Sequence, residues 1–407
     1  MIGTKPPQRG KYKRERDYMN KYKYWLHRLP LVGDVTIHKL LEHYGDACNI
    51  YNACINSDEF FIKVMTSKDH SGSEFRLERV LEMTGYYDLD SEYKKLEEKD
   101  IQFITMDDPE YPARLFDIST PPYAIYVKGS VPEDDIPAIA IIGSRECSEY
   151  GKLAAKTFGE ALASAGINII SGMARGVDGI SQQGALDAGG NTYAVLGSGV
   201  DVCYPAGNFK LYREIQQKGG VISTFPPGSA AEKKKFPERN KIIAALADFV
   251  LVIEARKKSG TLITVDHALK LNRDVYAVPG RITDNLSSGC NSLIRDGAGI
   301  VLSPQDILRD IAVLWGRINP DSDTAIPLNI RMVNSISPDG QEEAPHNEKG
   351  SLLSCLDLKP QNAESIYRRY HEINSDATLQ ETINELVLLC IEGRAIQIGS
   401  GFFYRTI

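Results

Sequence analysis

The sequence predicts an α/β protein whose central part is a doubly wound, Rossmann-like domain with a mostly parallel sheet. Between residues 137 and 303, short β-branched runs alternate with alanine-rich stretches of helical periodicity. The strand candidates are apolar along most of their length, which is typical of parallel strands covered by helices on both faces. The 407 residues, 42% of them hydrophobic and 25% charged, indicate an ordinary globular chain of two or three domains.

The segment before this domain, residues 24–100, is predicted to be helical. Apolar residues recur there at mixed spacings of three and four, and Leu29–Asp34 predicts a tight turn between two helices. Such a helix-hairpin-helix (SAM-like) unit can bind a nucleic-acid backbone through its turn; a plain helical bundle is the alternative that we favour. Nine of the first 28 residues are Lys or Arg, and we expect residues 1–23 to form a basic tail.

The Rossmann-like domain is predicted to span residues 105–312. Its predicted strands are Ala138–Gly143, Ile167–Ser171, Thr192–Leu196, Val221–Thr224, Phe249–Glu254, Val275–Val278 and Ile300–Leu302. Its predicted helices are Tyr150–Ala165, Val177–Ala188, Asn208–Gln217, Gly260–Leu271 and Asn291–Asp296. Ligands of such sheets bind outside the carboxyl ends of the strands, so the function is expected in the loops at that edge.

The rest of the chain is predicted to be a linker and a small closing module. Residues 318–350 are irregular and acidic and contain four prolines, which is typical of a linker. Residues 351–407 predict three helices and a hairpin turning at Gly399–Gly401, the elements of a winged helix. A transcription regulator is disfavoured, because the module holds five Lys/Arg against seven Asp/Glu and a DNA-reading helix should be basic.

Three successive predicted strands end in glycine-rich polar loops. The first loop is Gly143-Ser144-Arg145, the second runs from Ser171 to Asp178, and the third is Leu196–Asp201. A glycine turn before a helix directs backbone N–H groups and the helix dipole at an anion, and an arginine adds a forked phosphate donor. Three such loops on one edge predict an extended site for phosphates or a polynucleotide backbone, whereas Asp178 is assigned to its helix N-terminus.

The segment Phe225–Lys241 is interpreted as a loop with cations around an aromatic residue. Cations can follow the backbone of a single-stranded nucleic acid while a ring stacks on a base. The alternatives are that the lysines form a solvated face and that Phe236 belongs to the core. The predicted DNA-binding residues are Gly143, Ser144, Arg145, Gly172, Met173, Arg175, Lys233, Lys234, Lys235, Phe236, Arg239, Asn240 and Lys241.

Several function classes are disfavoured by composition and motif spacing. No apolar run reaches the ~20 residues of a membrane span, and the first residues lack the apolar core of a signal peptide. The seven scattered cysteines, without a C-x-x-C pair, indicate reduced thiols in a cytoplasmic protein and no metal site. A Walker A loop fails because Gly143 lies too far from Gly151-Lys152 and Leu153 replaces the Ser or Thr. At a net charge of −7, nucleic-acid binding must depend on local basic patches.

The motifs from residue 105 to 310 resemble those of the DprA/Smf family in order and spacing. They are Gly143-Ser144-Arg145, Ser171-Gly172-x-Ala174-x-Gly176-x-Asp178, Val195–Gly199 with Tyr204-Pro205, Phe236-Pro237-x-Arg239-Asn240, Glu254-Ala255 with Ser259-Gly260-Thr261, and Val278-Pro279-Gly280. The resemblance implies a dimeric, single-stranded DNA-binding recombination mediator that protects incoming DNA and helps load RecA during natural transformation. It also implies that DNA contacts Arg145 and the segment around Phe236, without a cofactor or catalytic residue.

An enzyme is the main alternative. Nucleotide-binding or nucleotide-hydrolysing Rossmann-like enzymes related to phosphoribohydrolases carry P-G-G-x-G-T-x-x-E, in which the glutamate acts in hydrolysis. Here Gly260-Thr261 is present, but Thr264 stands in the place of the glutamate. Without that carboxylate the chain shows no general acid or base for the reaction.

Overall fold

The computed structural model of the protein describes residues 9–67, 73–318, 352–356, 361–375, 377–391, 395–398 and 402–405. The chain divides into two compact units, Met1–Val333 and Asn334–Ile407. None of the helices in these described ranges is long and apolar enough to cross a lipid bilayer.

A helical module begins the first unit. Its helices are α1 (Arg9–Arg28), α2 (Asp34–Tyr44), α3 (Ala47–Ile55), α4 (Glu59–Met65), α5 (Ser73–Tyr86) and α6 (Leu89–Glu98). The predicted turn between two helices is present between α1 and α2, whereas the predicted basic tail is helical from Arg9. Tyr24 of α1 packs edge-to-face on Phe103 and Tyr126 of the neighbouring sheet, so the module and the sheet share one apolar core.

A nine-stranded sheet forms the centre of the first unit. Its strands are β1 (Gln102–Thr105), β2 (Ala124–Gly129), β3 (Ala138–Ile142), β4 (Asn168–Ser171), β5 (Thr192–Val195), β6 (Gly219–Ser223), β7 (Phe249–Val252), β8 (Asp274–Ala277) and β9 (Gly299–Ile300). Their order is β1-β2-β6-β5-β4-β3-β7-β8-β9. Strands β3 to β9 pair in parallel, which confirms the predicted sheet, while β1 and β2 add an antiparallel edge that the sequence analysis missed.

Helices cover both faces of the sheet. They are α7 (Glu149–Ser164), α8 (Val177–Asp187), α9 (Phe209–Ile215), α10 (Lys235–Leu246), α11 (Gly260–Lys270), α12 (Ser288–Arg295) and α13 (Pro304–Ile318). Alternate residues of β3 contribute to two different cores, with Ile139 and Ile141 on one face and Ala140 and Ile142 on the other. This alternation buries every residue of the strand and is the arrangement that the apolar runs predicted.

The second unit is small. It contains a short 3₁₀ helix (Leu352–Cys355), α14 (Ala363–Ile373), α15 (Leu379–Ile391) and the strands β10 (Gln361–Asn362), β11 (Ala395–Ile398) and β12 (Phe402–Arg405). The strands form an antiparallel sheet in the order β10-β12-β11, and Leu386 and Phe403 are buried in the core of the unit. The predicted helices and hairpin strands are present, and the winged-helix assignment stays a prediction. The hairpin turn at 399–401 and the linker residues 319–350 lie outside the described residues.

Candidate nucleic-acid interface

The site lies at the carboxyl edge of the parallel strands, where the strand order reverses. The chain proceeds from β3 through β4 and β5 to β6 on one side, and from β7 to β9 on the other side of β3. A crevice opens between the loops at such a switch point. Here it is a cavity of about 490 Å³ between the loops after β3, β4 and β7 and the first turns of α10.

Most of the predicted DNA-binding residues meet at this edge. The residues of the predicted set that line the 490 Å³ cavity are Gly143, Ser144, Arg145, Lys233, Phe236, Arg239 and Asn240. Gly172 and Arg175 line an adjoining cavity of about 280 Å³, which Arg145, Phe236 and Arg239 also line. Lys234, Lys235 and Lys241 do not line either cavity, and Met173 is buried in the core.

Backbone hydrogen bonds tie the strand-end loops together. The Ser144 N–H donates to the Glu254 carbonyl at 2.8 Å, and the Val177 N–H donates to the Ser144 carbonyl at 3.1 Å. Gly176 adopts a φ of 77°, and a Cβ at this position would clash with the Ser144 carbonyl oxygen. Only glycine combines this conformation with so close an approach. The Ser144 N–H therefore has its acceptor within the protein, in the loop after β7.

The start of α7 is also satisfied within the protein. The buried Glu254 carboxylate accepts the backbone N–H of Ser148 at 2.9 Å and the hydroxyl of the same residue. The Ser148 hydroxyl oxygen in turn accepts the Gly151 N–H at 3.1 Å. A carboxylate at a helix N-terminus stabilises it through the macrodipole. Glu254 is therefore a structural carboxylate that holds the start of α7.

Phe236 and Arg239 lie on a helix, although the sequence analysis interpreted Phe225–Lys241 as a loop. Helix α10 begins at Lys235, so only the residues before it are irregular. The helix aligns Phe236 with Arg239 one turn later, and the two side chains meet with the Arg239 Cζ 5.7 Å from the ring centroid. The interpretation as a loop was wrong from Lys235 onwards.

Arg239 is buried, with only 5% of its surface exposed. Its guanidinium donates to the carbonyls of Gly172 at 2.6 Å and Val195 at 2.8 Å, which join the loop after β4 to the end of β5. Burial lowers the pKa of Arg239 to about 10, and the nearby Asp178 carboxylate opposes this shift. Arg239 therefore positions the loops, and its donors are directed at protein carbonyls.

Asp178 lies buried beside Arg239. Burial raises the pKa of its carboxyl group, while the Arg239 charge and the backbone N–H groups of Ala174 and Gly172 lower it. The residue is in the first turn of α8, as the sequence predicted from the preference of carboxylates for helix N-termini. Arg239 and Asp178 thus form a buried part of the cavity lining.

Phe236 is half-buried and is surrounded by cationic and aromatic side chains. The Arg145 Cζ lies 5.1 Å from its ring centroid, which is cation–π range. The Tyr204 ring is 5.7 Å away at 36°, and 45% of Tyr204 is exposed. Both alternatives for Phe236 are thus partly met, because the ring packs against its neighbours and also lines the two cavities.

The cations at this edge differ in whether a carboxylate neutralises them. Lys234 and Lys235 both pair with Glu232, at 3.2 and 2.8 Å. Among the described ion pairs none involves Arg145, Arg175 or Lys233, and all three are exposed. An unpaired, exposed cation retains its charge for an anionic ligand.

Two cations of the interface were missed by the sequence analysis. Arg256 and Lys258 follow β7 and line the 490 Å³ cavity opposite α10. Both are exposed and have no carboxylate partner in the described part of the chain. The basic run Arg256-Lys257-Lys258 was visible in the sequence, next to the noted Ser259-Gly260-Thr261. The run follows β7, next to the point where the strand order reverses, and this position could have indicated that it belongs to the candidate site.

Comparison with known proteins decides the family. The profile of the DNA recombination-mediator protein A family matches residues 102–312, which is just over half of the chain. The chain belongs to this family. The resemblance of its motifs to DprA/Smf proteins is thereby confirmed.

Individual relatives agree with this assignment. The chain is 38% identical to DNA processing protein DprA of Streptococcus pneumoniae over 228 residues, 56% of this chain and 80% of the pneumococcal protein. It is 38% identical to protein Smf of Synechocystis over 222 residues, 54% of this chain, and this match spans only 56% of the Synechocystis protein's length. The X-ray structure of pneumococcal DprA superposes with a TM-score of 0.59 at 32% identity, covering 71% of this chain and 96% of that one.

Neither a metal nor a cofactor is indicated by the side chains at the site. No group of three or more His, Cys, Asp or Glu that could hold a metal ion occurs among the described residues. The carboxylates that line the 490 Å³ cavity are Glu146, which is exposed, and Asp178, which lies next to Arg239. The same lining holds five cations, of which only Arg239 is buried, together with Phe236.

Proposed function

We propose that the protein is a single-stranded DNA-binding recombination mediator and that DNA binds at the carboxyl edge of the sheet. The observation that carries the proposal is that four exposed cations, none of them in a described ion pair, line the same cavity as Phe236. Arg145, Lys233, Arg256 and Lys258 provide charge along the phosphate backbone, and Phe236 and Tyr204 provide π-faces for bases. Stacking on aromatic rings requires unpaired bases, so the arrangement favours single strands over duplexes.

Protection of incoming DNA and RecA loading during natural transformation are the roles that family membership supports for such a binder. We propose a cytoplasmic location, since RecA and its substrates are there. We propose no catalytic residue, because the Glu254 and Asp178 carboxylates serve the fold and Thr264 is buried where a hydrolase has its glutamate.

Homodimerisation is part of the proposal. It rests on the family resemblance and on Leu269 of α11, an apolar residue that is 57% exposed. Sedimentation of the full chain at micromolar concentration should yield twice the monomer mass of 45.1 kDa. A monomer under these conditions would remove dimerisation from the proposal.

The binding proposal is tested by a titration of a fluorescent dT20 oligonucleotide and of a 20-base-pair duplex against the full chain at several salt concentrations. The single strand should bind more tightly than the duplex. A plot of log K against log salt has a negative slope, and Arg145→Ala should reduce its magnitude by about 0.7. Lys94→Ala, an exposed cation on α6, is the control and should leave the slope unchanged. Preferential binding of the duplex, or an unchanged slope in Arg145→Ala, would contradict the proposed site.

The loading proposal requires a separate assay. RecA assembly on single-stranded DNA covered by single-strand-binding protein should begin sooner in the presence of the chain. The Arg145→Ala variant should not accelerate assembly. Equal lag times with and without the wild-type chain would contradict the loading role, and the DNA-binding proposal would stand without it.

A further inference from the structure

A second basic groove adjoins the candidate interface. It has a volume of about 620 Å³ and lies between the loop after β7 and helix α12. Arg256 and Lys258 line both this groove and the 490 Å³ cavity, so the two adjoin each other. Its complete lining is Arg256, Lys257, Lys258, Ile282, Asn285, Ser288, Asn291, Ser292 and Arg295, which includes four cations and no carboxylate.

The walls of the groove are fixed by hydrogen bonds. The Gly289 N–H in the first turn of α12 donates to the Ala255 carbonyl at 2.7 Å, and a Cβ on Gly289 would be too close to that oxygen. The Asn291 side chain accepts the Gly280 N–H at 3.2 Å and donates to the Gly280 carbonyl at 3.0 Å. The distance between the two walls is therefore set before any ligand arrives, which reduces the entropy that a ligand must overcome.

The charges of the groove remain largely unneutralised. Lys257 is exposed and takes part in none of the described ion pairs. Arg295 pairs only with the adjacent Asp296, at 3.0 Å, and both side chains are more than 60% exposed. Exposed pairs of this kind are worth little and yield readily to a phosphate. The other nearby carboxylate is Asp284, an exposed residue in the loop before α12.

We propose that this groove binds the backbone phosphates of the same single strand, beyond the nucleotides held at Phe236. The strand would pass from α10 across Arg256 and Lys258 and reach Lys257 and Arg295. This inference rests on the proposed DNA-binding function and extends it with a second contact region. The lack of an aromatic residue in the lining makes the region a site for phosphates without base stacking.

The test uses oligonucleotide length. A dT6 oligonucleotide is short enough to bind at the primary cavity alone, whereas dT20 can extend into the groove. The variant Lys257→Ala/Arg295→Ala leaves the lining of the primary cavity unchanged. It should weaken dT20 binding roughly ten- to thirtyfold at 0.1 M salt. It should also reduce the magnitude of the salt slope by about 1.4, because two phosphate contacts are lost. The affinity for dT6 should not change.

The control Lys94→Ala/Lys218→Ala removes the same charge from exposed positions, and Lys218 lies at the opposite, amino end of β6. It should leave both affinities unchanged. Unaltered dT20 binding in the groove variant, or equal losses for dT6 and dT20, would overturn the inference while the proposed function stands. Failure of the wild-type chain to bind either oligonucleotide would overturn both. Melting temperatures check that both variants are folded.

Discussion

A buried arginine joins separate segments of the chain at each end of the parallel sheet, but the two arginines have different hydrogen-bond acceptors. At the amino end, Arg114 forms a forked ion pair with Asp248, with nitrogen–oxygen distances of 2.8 and 2.9 Å. Asp248 also accepts the Ala138 N–H at 2.8 Å, so the pair joins the starts of β3 and β7. At the carboxyl end, Arg239 joins loops in the same way through the carbonyls of Gly172 and Val195.

The difference lies in the cations around each arginine. Arg273, near the amino end, pairs with Asp117 and also donates to the Ala245 carbonyl. At the carboxyl end, Arg145 and Lys233 remain exposed without a carboxylate. A carboxylate and a carbonyl thus accept hydrogen bonds from the cation at the amino end, whereas none of the described carboxylates pairs with Arg145 or Lys233 at the carboxyl end. The comparison teaches that the ion pairs of the amino edge stabilise the fold, and it supports the proposal that the carboxyl edge binds an anion.

The largest expected effect is at the amino edge. Arg114→Ala should lower the free energy of unfolding by about 3–5 kcal/mol, because it leaves the buried Asp248 charge unpaired. Urea unfolding measures this loss, and a titration of the folded variant with dT20 should yield the wild-type affinity. The matched control is Lys156→Ala, whose exposed pair with Glu160 is worth about 0.3–0.5 kcal/mol. Weaker DNA binding by folded Arg114→Ala would break the comparison.

A pH effect is expected from His27, which lies at neither edge. Burial, and secondarily the Arg28 charge, lowers the pKa of His27 to about 4, and its Nδ1 is 2.9 Å from the Tyr126 hydroxyl. The unfolded chain, with an ordinary histidine pKa of about 6.5, binds the proton more readily, so stability falls as the pH drops below that value. The loss should reach about 3 kcal/mol between pH 7 and pH 4.

Urea unfolding as a function of pH checks this prediction, with His27→Phe as the comparison. The difference between the two proteins isolates the histidine from other groups that titrate in the same range. The variant should lose less stability on acidification than the wild type. If the free energy of unfolding changes equally with pH in both proteins, protonation of His27 does not destabilise the folded protein.

The Arg239→Ala variant should affect both properties. The loss of its donors leaves the buried carbonyls of Gly172 and Val195 without these partners, and we expect about 2–3 kcal/mol of destabilisation. The loops after β4 and β5 should also shift, so that dT20 affinity falls in the folded variant. This double effect distinguishes Arg239 from Arg114. An unchanged affinity would show that the loops hold their positions without it.

A smaller effect, confined to binding, is expected for Phe236→Ala. The loss of base stacking should cost about 1–3 kcal/mol of binding free energy and leave the salt slope unchanged, because stacking releases few counterions. Phe236→Leu retains apolar volume but lacks the π-face, and should lose most of the same affinity. If both variants bind normally and Phe236→Ala melts early, the ring belongs to the core.

The smallest effect compares neighbouring lysines. Lys233→Ala should reduce the salt slope by about 0.7 and weaken binding roughly fivefold at 0.1 M salt. Lys234→Ala should change either quantity less, since Glu232 lies 3.2 Å from its ammonium group. Equal effects from the two substitutions would show that the Glu232 pairs open on binding.

Much of the parallel sheet was predictable because a strand covered on both faces must be apolar throughout. Helix α10 was missed, since Pro237 and the surrounding lysines are typical of a loop. Proline is tolerated at this position because the first four N–H groups of a helix have no intrahelical acceptor. Strands β1 and β2 were missed because they lie outside the region where strands and helices alternate regularly.

The sequence by itself determined the Rossmann-like domain, the edge at which the candidate site lies, and the family. These depend on local patterns: apolar runs, glycine turns and motif order. Only the tertiary structure decided which cations are exposed and which are held by other protein groups. Arg145 and Arg239 both belong to the sequence motifs of the family. Arg239 is buried and donates hydrogen bonds to the carbonyls of Gly172 and Val195, whereas Arg145 is exposed. Whether a cation is free to bind a ligand depends on the hydrogen-bond acceptors that folding brings close to it. These acceptors are distant in the sequence, so the sequence alone does not identify them.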